Sequence, residues 1–148
     1  MHSAMFRSLT HSLAAPALVA IATCLTGPAQ AQDWAVDGYD VVSFQDQGRA
    51  VPGRAEIHTM WKGVLWLFAT DQHRIEFEAN PRAYAPGFGG LCPVALSDGR
   101  QERGDPRYFV LIGDRLYLTR SDSARRTLQA DPRDVLNAAR RNFASGRD

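Results

Sequence analysis

The sequence predicts a small single α+β domain of two β-hairpins, with a short helix after the first and two C-terminal helices. Three observations carry this reading. Two apolar runs each fold back over a two-residue turn that contains glycine, Lys62-Gly63 and Gly113-Asp114. Thr70, Ser121 and Asp131 each stand where a side-chain oxygen can cap a following helix. The resulting order is hairpin, helix, loop, hairpin, helix, helix, which is not the alternation of a parallel α/β sheet.

In chain order, Asp37-Gly38 is a turn signal followed by a β-rich run, Val41-Val42-Ser43-Phe44. The polar stretch 45–54 holds Gly48, Pro52 and Gly53 and reads as a loop. Ile57 to Trp61 and Val64 to Ala69 then pair so that Trp61 faces Val64, Thr59 faces Trp66 and His58 faces Leu67. Alternation puts His58, Met60, Leu65, Leu67 and Ala69 on one face. Val64 to Ala69 is apolar on both faces, which predicts a central strand covered twice. Thr70 caps a helix over 71–79, with Asp71 at its positive end, and Asn80-Pro81 stops it. Residues 81–84 are at most another turn. The stretch 85–93 holds Pro86, Gly87, Gly89, Gly90 and Pro93 and reads as an ordered irregular loop anchored by Phe88.

The second hairpin pairs 108–112 with 115–119 and places Phe109, Leu111, Leu116 and Leu118 on one face. Gly113 suits the first position of a type II′ turn. Ser121 caps a helix through Ala130. Asp131 caps the last helix, with Pro132 at its first position and Leu136, Ala139 and Phe143 near helical spacing. No internal repeat and no linker is evident in 32–148.

The whole chain has 148 residues, a formal net charge of +1 and 2 cysteines. Residues 1–31 read as a secretory signal: Arg7 precedes an uncharged, apolar stretch that ends at Ala29-Gln30-Ala31. Cleavage after Ala31 would place the remaining domain, 32–148, in the periplasm or outside the cell. Lipid attachment at Cys24 is the lesser alternative, because Thr23 is larger than the residue usual before an acylated cysteine. Loss of Arg7 removes the net charge, which argues against a nucleic-acid binder or a polybasic membrane module. No transmembrane segment is expected in the mature chain. Loss of Cys24 leaves Cys92 as the one thiol, so an intrachain disulfide is excluded.

The chain resembles the exported bacterial proteins built on a YHS domain. The resemblance runs through Gly38-Tyr39-Asp40-Val41-Val42, Trp61-Lys62-Gly63, Trp66-Leu67-Phe68, Phe77, Asn80-Pro81 and Tyr84-Ala85-Pro86. It continues through Phe88-Gly89-Gly90-Leu91-Cys92, Asp105-Pro106 and Leu116-Tyr117-Leu118, covering nearly all of 37–143. It implies an exported α+β domain. It also implies kinship with domains beside copper-transporting ATPases, where paired cysteines are thought to bind metal. In those relatives a cysteine follows the aromatic residue that ends the central strand. Here Phe68 is followed by Ala69.

Cys92 is the most informative residue. Pro93 can open a short helical turn, which would put the thiol at an N-cap where free N–H groups stabilise thiolate. The plainer reading, a small buried hydrophobe behind the Gly89-Gly90 turn, is slightly favoured. His58 lies on the face where the relatives hold metal, so Cys92 and His58 together are the candidate metal ligands, for a copper or zinc ion. Met60 and Asp40 are candidate third ligands, and Tyr39, Asp40, Met60, Gly89 and Gly90 are candidate lining residues. His58 as a strand residue bonded to backbone is the simpler alternative. Asp40 more simply closes a turn through its own backbone, and His73 reads as surface. No nucleophile elbow, zinc-protease motif or phosphate loop is present, so no catalytic residue is assigned. The readings are therefore a soft-metal-binding protein, a non-catalytic structural or interaction module with an inert cysteine, or a thiol-redox protein acting through mixed disulfides with a protein partner.

Overall fold

A computed structural model describes residues 33–146. The proposed signal segment, its cleavage after Ala31 and the lipid-attachment reading of Cys24 lie outside the described residues. The architecture is α+β, with two antiparallel hairpins, β1 (Arg54–Trp61) with β2 (Val64–Phe68) and β3 (Asp105–Ile112) with β4 (Arg115–Thr119). The helices are α1 (Ser43–Asp46), α2 (Asp71–Ala79), α3 (Pro81–Tyr84), α4 (Pro93–Ser97), α5 (Asp122–Ala130) and α6 (Pro132–Ser145). Two kinked 3-10 turns, Ala35–Gly38 and Gly87–Gly90, complete the set. Among the described residues no helix is long and apolar enough to cross a membrane.

The pairings of both hairpins follow the expected registers, His58 with Leu67 and Trp61 with Val64, then Phe109 with Leu118 and Leu111 with Leu116. Lys62 and Gly63 both take positive φ, as a type I′ turn requires, whereas at the second turn only Gly113 does. The three expected caps are in place: Thr70 accepts from His73 N, Ser121 from Ala124 N and Asp131 from Asp134 N.

Three expectations need correction. Val41 to Phe44 is not a strand: Asp40 Oδ1 accepts from Val42 N at 3.0 Å and turns the chain into α1. Local β-propensity loses here to a buried side chain that satisfies the turn. The strand β2 is not central, because each sheet has two strands. It is apolar on both faces because helix α2 covers one side while the first 3-10 turn packs along it, with Trp34 bridging Leu65.

The third correction is the largest, because the chain does contain an internal repeat. Residues 35–85 and 87–136 run through the same elements in the same order: kinked 3-10 turn, short helix, hairpin, capped nine-residue helix, then a helix that opens with proline. Each kinked turn holds three successive residues at positive φ, Val36, Asp37 and Gly38 in the first, Phe88, Gly89 and Gly90 in the second. Asp40 N donates to Val51 O at 2.8 Å, and Cys92 N donates to Glu102 O at 2.8 Å. Gly53 N donates to Gly38 O, and Gly104 N to Gly90 O. Both hairpins shift register at the same place, between Arg54 and His58 and between Asp105 and Phe109. Gly53 and Gly104 each pass so close to the opposite strand that an added Cβ would lie 2.5 Å from Leu67 Cβ and 2.4 Å from Leu118 Cβ respectively. The sequence vestiges are slight, the clearest being Ala79-Asn80-Pro81-Arg82 against Ala130-Asp131-Pro132-Arg133.

The two halves share one interior. Phe44, Phe68 and Phe77 of the first pack with Leu116 and Leu118 of the second. Val110, Tyr117, Leu128 and Leu136 form a second cluster under α5 and α6.

Candidate functional site

Cys92 occupies the N-cap of α4, as its neighbour Pro93 predicts. Its surroundings are those of a core residue: it is 0% exposed and clusters with Ala95 and Ala124, with Val94 packed against them. His58 is exposed on β1, and its Nδ1 lies 2.7 Å from Ala55 O. A sealed sulfur and an imidazole in solvent do not share an ion, so the structure does not bring the proposed ligands together. The face expected to gather them is open at its outer end, where Met60 is 64% exposed. The core-facing side chains of this strand are instead Ile57 and Trp61, on the opposite face. Among the described residues no group of three His, Cys, Asp or Glu side chains could hold a metal ion. The donors present therefore do not fit a copper or zinc centre at Cys92.

The buried polar pair is elsewhere. Asp40 is 0% exposed and His73 7% exposed, which corrects the expectation that His73 lies on the surface. Asp40 does close the expected turn, through Val42 N. Its second oxygen also accepts from Ala69 N at 2.8 Å and meets His73 Nδ1 at 2.5 Å. One carboxylate thus ties the first turn, the end of β2 and the start of α2. The other imidazole nitrogen lies 3.5 Å from Asp46 Oδ2 at the end of α1. The signal that could have found His73 is its spacing of four from Phe77, which puts both on the buried face of α2.

The repeat accounts for the setting of Cys92. It stands where Asp40 stands in the first half, and Ala124 stands where His73 does. Where the first half holds a bonded carboxylate and imidazole, the second holds a thiol and a methyl group in an apolar cluster.

A cleft of about 710 Å³ opens between the two kinked turns. Trp34, Trp61, Trp66 and Phe88 supply aromatic surface, and Lys62, Arg82, Arg103 and Arg115 supply positive charge. Gly89 and Gly90, expected beside a metal site at Cys92, line this cleft, whereas Tyr39 packs against the core of the first half. The positive φ of Gly89 and Gly90, 64° and 86°, lets the second turn bend sharply beside the cleft. Trp61 is held edge-on to Trp66, with ring centroids 5.6 Å apart, and both rings rest on Phe77. These walls are therefore fixed by the core. At the last residue of α3, burial and the charges of Glu76 and Asp46 push the Tyr84 phenol up from its usual range.

Comparison with protein-family models, with curated proteins and with solved structures gave no match to this chain.

Proposed function

We propose that this chain is an exported, non-catalytic binding module of the YHS type, working through the cleft between its two halves and using Cys92 as core. The observation that carries the reading is the cleft, whose volume of about 710 Å³ lies in the range of small-molecule sites. It combines rigid aromatic walls with a few polar groups, the usual composition of a binding pocket. The inert-cysteine part rests on the apolar packing of a fully buried sulfur. Export and YHS membership rest on the sequence pattern alone.

The test uses the full chain and a neutral, polarity-sensitive aminonaphthyl ketone dye. Saturable binding with blue-shifted emission is expected, weakened about tenfold by Trp61→Ala, the scale on which losing one aromatic contact acts. Trp34→Ala, at a rim position 38% exposed, should weaken it without unfolding the domain. Binding that does not saturate, or that ignores both substitutions, overturns the reading.

A further inference from the structure

We infer that the ligand of this cleft is a small aromatic or similarly planar molecule carrying an anionic group, such as an aromatic carboxylate. The inference rests on the binding-module reading and adds the charge and orientation of what is bound. Its basis is how the charges lining the cleft are, and are not, neutralised.

Arg103 has a carboxylate partner, Asp37, with 3.6 Å between Nη2 and Oδ1. Those two residues, with Asp33 and Trp34, also line a side recess of their own. That end carries both signs of charge. The remaining cations of the cleft are Lys62, Arg82 and Arg115, and none has a carboxylate partner among the described residues. Lys62 Nζ instead sits 4.8 Å from the centroid of the Trp61 ring. Arg115 Nη1 donates to the carbonyl of Arg82 at 2.9 Å, which fixes its guanidinium beside α3 and leaves its other N–H groups to donate.

Three unpaired cations beside an indole wall make a site with two demands. The aromatic surface of Trp61 and Trp66 favours a flat apolar body. The cations favour an anion, and a guanidinium with free N–H groups can grip a carboxylate with more than one bond. A neutral ligand satisfies only the first demand, and a cationic one meets repulsion. The chain's own leading segment is a poor occupant on the same ground, because residues 1–32 contain neither Asp nor Glu. An extended acidic protein partner is disfavoured by Asp33 and Asp37, which close the far end to anions.

The experiment is isothermal titration calorimetry of the full chain with three isosteric probes: naphthoate, neutral naphthamide and naphthylmethylammonium. Naphthoate should bind about tenfold or more tighter than naphthamide, and the ammonium probe weakest. The double variant Arg82→Ala/Arg115→Ala should bring naphthoate within about twofold of naphthamide. Both arginines are exposed, so the variant should keep the wild-type circular dichroism spectrum. Lys62→Ala gives an independent second reading of the same loss. Rising salt should weaken naphthoate alone. If naphthamide matches naphthoate in the wild type, or the ammonium probe binds best, the anion inference is overturned while the cleft stands. If no probe binds, or if Trp61→Ala changes none of them, the binding-module reading fails as well.

Discussion

Replacing Asp40 by alanine should be among the most damaging single changes in this chain, and the structure gives the magnitude. The carboxylate accepts from Val42 N at 3.0 Å and Ala69 N at 2.8 Å, and meets His73 Nδ1 at 2.5 Å, with no exposed surface of its own. Asp40→Ala orphans two backbone donors and an imidazole. A buried donor left unsatisfied costs roughly 1–3 kcal/mol, and two backbone donors and a ring nitrogen lose their partner together. We therefore expect a loss of about 3–5 kcal/mol, large against the usual total for a domain of this size. His73→Ala leaves the carboxylate two backbone donors and should cost less, about 1–3 kcal/mol. The double variant should fall short of the sum by about 1–3 kcal/mol, because the second change removes a partner already lost. In the second half, Cys92→Ala removes one sulfur from an apolar cluster and should cost only about 1 kcal/mol. Urea unfolding at unchanged m-value measures all four. A cost below about 1 kcal/mol for Asp40→Ala, or strict additivity with His73→Ala, would refute the argument that this pair ties α1, β2 and α2 together.

Three further outcomes are expected. With Cys24 changed to serine, Cys92 should resist an aromatic disulfide reagent until urea unfolds the chain, and Cys92→Ser should destabilise by about 1–3 kcal/mol, because a hydroxyl would replace a thiol in a dry cluster. Rapid labelling of the folded protein would contradict the packing described. Gly53→Ala and Gly104→Ala should each destabilise by about 1–3 kcal/mol through the same collision with a facing leucine, and a large difference between them would weaken the structural equivalence of the halves. Because the folded Tyr84 phenol is raised by burial and by Glu76 and Asp46, the folded state holds its proton more tightly than the unfolded chain. Its contribution is therefore present below the unfolded value of about 10 and lost as pH rises through the folded one. Tyr84→Phe should reduce that alkaline loss of stability, read by thermal melting across the range.

The local devices were legible in the sequence. Both hairpin registers, three helix caps and the placement of Cys92 at the N-cap of α4 follow from turn residues and capping side chains that act within a few positions. What failed depended on distant partners. Val41 to Phe44 reads as a strand until Asp40 is seen to bond Val42 N, and His73 reads as surface until Asp40 arrives from 33 residues away. His58 pairs with Leu67 as alternation predicts, but pairing does not say what covers a face, and on β1 that face is open to solvent at His58 and Met60. The repeat escaped notice because what it preserves is geometry. Val36-Asp37 and Phe88-Gly89 share a backbone conformation and no side chain, and the key equivalence sets an aspartate against a cysteine. The cleft is not legible in the sequence, since its aromatic and basic residues meet only after the two halves fold together.

The shared interior has a mechanical corollary. Phe109 lies 4.8 Å, centroid to centroid, from Phe44, and Leu116 and Leu118 are sealed beside Phe68 and Phe77. Severing the chain between Ala85 and Gly87 would strip each fragment of hydrocarbon that only the other can supply. Neither piece could then sustain an ordered state in isolation, and the pair should reassociate on mixing. The duplicated architecture should therefore act as an obligate couple within one polypeptide, each half leaning on a centre that both supply.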